Sequence, residues 1–177
     1  MTRITRRLTP VAAVLATLLA AWFGYAWWHT GHDDGLARAQ VREDALAAGR
    51  QAVTGLITLD YRQAAQGYQH WLDLSGGALH DELSQDKPGG LDRIAKAKTV
   101  TTGRVIDAAV TEVDSGAGTA KMIASVELLV RPDGGDTVTK RNRFQADLNR
   151  TPDGWRVTAL GQVPVSGDAG DNTVGKP

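Results

Sequence analysis

Tyr61, Tyr68, His70, Asp73 and His80 are the side chains whose types allow proton chemistry, and Trp71 offers an apolar wall beside them. A buried carboxylate next to a tyrosine can abstract a proton and stabilise the anion that results. On a helix only residues three or four apart share a face, which joins His70 to Asp73. The same spacing joins Tyr68 to Trp71 and Leu72, an ordinary apolar stripe beside a polar edge. No Glu or His stands at a spacing that would assign an acid and a base. Tyr61, Tyr68, His70, Trp71 and Asp73 are therefore candidate pocket-lining residues. No catalytic, cofactor-binding or metal-binding residue is assigned, and the chain is expected not to be an enzyme.

Two other groups have chemistry to weigh. His29, His32, Asp33 and Asp34 pair imidazoles with carboxylates at spacings that suit a divalent ion, but they follow an apolar run, where polar residues mark the return to water. Lys140, Arg141 and Arg143, with Arg131 across the preceding turn, make the one basic patch. Lys140 shares strand parity with Phe144, whereas Arg141 and Arg143 face the other way. Arg131, Arg141 and Arg143 are a candidate interaction surface for anionic headgroups or an acidic partner, set against the plainer reading of a solvated strand. Asn149-Arg150-Thr151 matches a glycosylation acceptor but sits at a hairpin end.

Composition narrows the classes further. All 20 acidic residues but only 17 of the 20 basic ones follow Trp28, a formal charge of −3 that offers no footprint for nucleic acid. With no Cys, disulfides, thiol nucleophiles and cysteine zinc sites are excluded, so the core alone must stabilise the domain.

The elements that must position these residues begin with an uncharged run, 8–28, long enough at about 1.5 Å per residue to cross a bilayer as one helix. Arg3, Arg6 and Arg7 precede it and Asp33 and Asp34 follow, so the positive-inside bias puts residues 1–7 in the cytoplasm and the rest outside. Trp22, Tyr25, Trp27 and Trp28 gather at the exit end. Gly24 and Ala26 form a small-x-small pair of signal-peptide type, but bulky aromatics crowd the site and the apolar run continues through it. Residues 29–35 read as a juxtamembrane linker. Ala16, Ala20 and Gly24 repeat every four residues, a spacing common in alanine-rich spans.

From Asp34 to about Leu59, apolar positions step by three or four, predicting an amphipathic helix capped by Asp33 or Asp34. Gly49 and Gly55 weaken it, which points to close packing at those positions. Asp60 reads as the N-cap of a second helix carrying Tyr61 to Leu72, ended by Ser75-Gly76-Gly77. A third covers Leu79–Leu83, breaks at Lys87-Pro88-Gly89-Gly90, and resumes over Leu91–Ala97. Turn signals at 115–118, 132–135 and 151–154 then divide the second half into four strands, an antiparallel meander closed by Val163-Pro164-Val165. Residues 166–177 are Gly and Asp rich and read as a disordered tail.

The chain is thus expected to be α+β: an N-terminal transmembrane helix, then a cone-like domain at 36–165 of about three helices packed on a four-stranded sheet. Arg42-x-x-Ala45-x-x-Ala48-x-x-x-Ala52-Val53, Thr58-Leu59-Asp60-Tyr61-Arg62 and Arg150-Thr151-Pro152-Asp153-Gly154-Trp155-Arg156-Val157 carry a resemblance to the actinobacterial Mce-associated membrane proteins. Those are accessory proteins of lipid transporters whose outer domains are nuclear-transport-factor-2-like. The resemblance implies a single-pass, extracytoplasmic, non-enzymatic scaffold with the bilayer and an envelope transport complex as partners and no cofactor. The alternative is a small-molecule or lipid binder, or an enzyme, using the conical pocket of the same fold.

Overall fold

The computed structural model describes residues 5–163, with side chains described for 19–25 and 35–163. The tail expected at 166–177 and the close expected at 164–165 lie outside the described residues. So do the side chains of His29, His32, Asp33 and Asp34. Helix α1 spans Thr5–Leu56 and runs unbroken through 29–35, so the helix start expected at Asp34 is not there. Isolated glycines such as Gly31 and Gly35 cost a helix only about 1 kcal/mol each, too little to break one already propagating. Among the described residues no helix is long and apolar enough to cross a membrane. Most side chains of the span expected over 8–28 lie outside that description.

The chain divides into two compact units, Met1–Gln40 and Val41–Pro177. In the first, Leu19, Trp22, Phe23 and Tyr25 are all exposed. In the second, the sheet has five strands rather than four, in the order β1-β2-β3-β4-β5 and antiparallel throughout. They are β1 (Leu59–Asp60), β2 (Thr99–Asp114), β3 (Thr119–Pro132), β4 (Val138–Thr151) and β5 (Gly154–Gln162). The extra strand is a two-residue pairing of Leu59 and Asp60 with Thr101 and Val100, too short to leave a periodic signal. The last strand stops at Gln162.

The inner face of the sheet carries the core. Ala120, Met122, Ala124 and Val126 of β3 alternate inward, joined by Ala146 and Leu148 of β4 and Val157 of β5. Ala45, Ala52 and Val53 of α1 close over them. A Cβ built on Gly49 would lie 2.2 Å from Met122 Sδ, so glycine is what lets the helix approach there. Arg42 donates to the Val110 carbonyl and Arg50 approaches Asp107 at 3.3 Å, holding α1 along β2.

Three short helices follow α1, namely α2 (Ala64–Leu74), α3 (Gly77–Gln85) and α4 (Lys87–Ala97). The break expected across Lys87-Pro88-Gly89-Gly90 is instead confined to Asp86, and those four residues form the first turn of α4. Proline is tolerated there because first-turn N–H groups have no helical acceptor. Gly90 is needed for another reason: a Cβ would sit 2.5 Å from the Tyr68 ring.

Candidate functional site

The candidate pocket residues separate into three places. Tyr68 is 2% exposed, its hydroxyl donates to the Leu83 carbonyl at 2.9 Å, and its ring centroid lies 5.6 Å from that of Trp71. Both line a cavity of about 250 Å³ between α2, α3 and α4, with Glu82, Asp86 and Arg93 around it. The Trp71 indole N–H is spent on the Gly55 carbonyl at 3.2 Å. Arg93 donates to Asp86, and that bond, then the Asp86 charge, raises the guanidinium pKa further. Burial, then the Asp86 charge, raises the Tyr68 phenol above its ordinary value, with Arg93 opposing.

His70 and Asp73 are both exposed. Asp73 accepts from Gln69 at 3.2 Å, and the His70 ring lies against Gly55 of α1. They share a helix face without forming a site. Tyr61 belongs to the junction after α1, in a single 3₁₀ turn, Tyr61–Gln63. Asp60 caps that turn by accepting from the Arg62 N–H at 2.9 Å. The Arg62 guanidinium stacks 4.8 Å from the Tyr61 ring centroid and reaches Asp133 in the β3–β4 turn at 3.1 Å. Desolvation, then a hydrogen bond with Asp133, raises the Tyr61 pKa. The Asp60-Tyr61-Arg62 sequence is thus a clamp between helix junction and sheet. His80 bonds at Nδ1 to Ser75 Oγ (3.3 Å) and the Leu72 carbonyl (3.1 Å), closing the end of α2.

A larger cavity, about 420 Å³, opens where β2, β3 and β4 meet, with Glu112, Lys121, Asp147 and Asn149 in its lining. Lys121 pairs with Glu112 at 2.9 Å; that hydrogen bond, then its charge, raises the Lys121 pKa. Asp147 Oδ1 is buried there without a hydrogen-bond partner.

Arg131, Arg141 and Arg143 lie on the outer sheet face, whereas Lys140 has the other parity, opposite Leu128, and register regroups them. Glu127 of β3 stands opposite Arg104 of β2 and Arg141 of β4, bonding them at 2.8 and 3.4 Å. Arg143 follows on the same face, opposite Ser125. Arg131 lies four residues beyond Glu127, about 13 Å along the strand, and is not part of this cluster. Arg104 takes its place. Nothing local marks Arg104 in the sequence; only the β2–β3 register, with a shift between Val105 and Asp107, brings it to Glu127.

The topology defines a mixed α+β domain with a curled antiparallel sheet, like nuclear-transport-factor-2-like domains. The chain belongs to the family described as "Uncharacterized protein Rv1363c/MT1408-like", whose model matches residues 5–158. No curated protein sequence matches it. Among solved structures it is similar to the periplasmic domain of DotI, at 13% identity over 68% of this chain and 93% of that one, with a TM-score of 0.55. It is also similar to an IcmL-like type IV secretion system protein of Legionella pneumophila, at 14% identity over 73% and 94%, with a TM-score of 0.55. A candidate aromatic ring hydroxylase of Novosphingobium aromaticivorans matches at 17% identity over 68% and 94%, with a TM-score of 0.50. At these identities the likeness is one of fold.

Proposed function

We propose that this protein is a non-enzymatic accessory scaffold of a cell-envelope transport complex. It is anchored by one N-terminal helix over 8–28 and works through a domain outside the membrane. The observation that carries this reading is the filled interior: where a fold of this kind could hold a ligand under its long helix, Met122, Val126 and Leu148 are at most 1% exposed. Among the described residues the one buried polar residue is Ser75; the Tyr68 hydroxyl is spent on the Leu83 carbonyl, and Asp147, with its buried Oδ1, stands opposite Lys121 on the sheet face away from Met122. A protein built this way acts through its surface.

Support for the envelope setting is of two kinds. The sequence resembles Mce-associated membrane proteins, which favours an Mce-type lipid transporter as the complex. The DotI and IcmL-like neighbours carry the same fold, the first in a periplasmic domain and the second in a type IV secretion system protein. The exposed Leu19, Trp22, Phe23 and Tyr25 favour an apolar surrounding for the first unit, because a row of large apolar side chains in water is costly. Deleting the gene and measuring steady-state levels of envelope-transport subunits tests the reading. Depletion of one complex, restored by the intact gene, is the expected result; unchanged levels of all such subunits would refute it.

A further inference from the structure

We infer that the outer face of the sheet, around Arg104, Arg141 and Arg143, docks an extended acidic segment of a protein partner. The inference rests on the scaffold reading and names the surface and the partner chemistry it would use.

Glu127 organises this face. Its side chain is 14% exposed, whereas Arg104 and Arg141, which it holds from either side, are 70% and 75% exposed. One carboxylate thus fixes the bases of two guanidinium groups and leaves their remaining N–H donors in solvent. Exposed pairs of this kind contribute little to stability, so orientation is the larger consequence. Arg143 is exposed, and its guanidinium has no hydrogen bond or ion pair among the described residues. It borders a shallow cavity of about 230 Å³ that also includes Ile123, Ser125 and Asp107, whose carboxylate is engaged by Arg50 at 3.3 Å. With Asp107 offset by Arg50, the three guanidinium groups of Arg104, Arg141 and Arg143 face the one carboxylate of Glu127, which leaves the face positively charged on a chain whose formal net charge is zero.

Apolar surface lies on either side. Ile106, in the β2 bulge, is 46% exposed, and Leu129, two residues along β3 from Glu127, is 39% exposed. Exposed apolar side chains beside arginines are the composition of a protein interface. Arg141 and Arg143 alternate along one strand, so their bases repeat at about 7 Å. An extended chain with Asp or Glu at every second residue presents carboxylates at that same repeat, and the planar guanidinium fork suits bidentate carboxylate binding. Fluid lipid headgroups have no fixed repeat to match.

The test uses the full-length protein in its own membrane. A photoreactive residue at position 125, which is exposed, cross-links whatever lies on this face, and quantitative mass spectrometry compares wild type with the double variant Arg141→Glu, Arg143→Glu. The proposal expects a cross-link to a protein segment rich in Asp and Glu, and recovery of that protein reduced about tenfold or more by the charge reversal. Arg141→Ala with Arg143→Ala should give a smaller loss in the same direction. Equal melting temperatures for these variants and wild type separate lost docking from lost folding. Unchanged recovery in the charge-reversed variant, or a cross-link to a segment without acidic residues, overturns the surface assignment and leaves the scaffold reading standing. Cross-linking to phospholipid, with binding to phosphatidylglycerol vesicles lost on charge reversal, reassigns the face to the membrane and overturns it too. Failure of wild type to recover any protein partner defeats the scaffold reading and the docking surface together.

Discussion

Removing the Tyr68 hydroxyl would test one bond that ties α2 to α3. Tyr68→Phe leaves the Leu83 carbonyl without its donor and should cost about 1–2 kcal/mol at neutral pH, read by urea unfolding. Its pH dependence has a definite sign. The phenol is raised above 10.0 in the folded state, so its contribution is intact below that pH and is lost as pH rises, because the unfolded chain ionises first. Between about pH 9 and pH 11 the variant should lose less stability than wild type. Gly49 makes a second test. Gly49→Ala drives a methyl group against Met122 Sδ and puts it 3.2 Å from Leu148 Cδ2. A destabilisation of about 1–3 kcal/mol is expected despite alanine's better helix propensity. Gly55→Ala should cost less, since its neighbours are the side-chain ends of half-buried Leu74 and exposed His70, which can move aside, whereas Met122 and Leu148 are fully buried. The need for close packing at both glycines was legible in the sequence, because a helix otherwise gains by replacing them. What was not legible is the use to which Tyr68 and Trp71 put their polar atoms: both are spent on backbone carbonyls, which no side-chain pattern announces.

At the scale of elements, β3 and β4 were readable because burial alternates along them, as in Ala120, Met122, Ala124 and Val126. β2 was expected as a strand but its facing was not readable, since shifts at Val105/Asp107 and Val110/Glu112 reverse its parity twice. Its inward residues Val105, Ala108, Val110 and Val113 therefore follow no period of two, and Arg104 could not be assigned to the outer cluster. The Lys87–Gly90 stretch was misread because proline and glycine signal a break only away from a first turn. The end of that helix yields a prediction. Lys98 closes α4 at φ 46°, a left-handed conformation that disfavours a Cβ. Lys98→Gly should stabilise the domain by about 0.5–1 kcal/mol, seen as a higher denaturant midpoint with unchanged slope.

At the scale of the whole molecule, every described residue of the hydrophobic core lies at or beyond Val41. A chain lacking residues 1–35 should therefore unfold in one cooperative transition within a few degrees of the full-length domain, and should leave the membrane fraction. If the protein is a scaffold, the full-length chain holds its complex in its own membrane. Isolation in mild detergent, with mass spectrometry of bound proteins and small molecules, tests it most directly. The expected result is envelope-transport subunits at comparable abundance and no stoichiometric small molecule. Recovery of the protein alone with one small molecule or lipid per chain would contradict it.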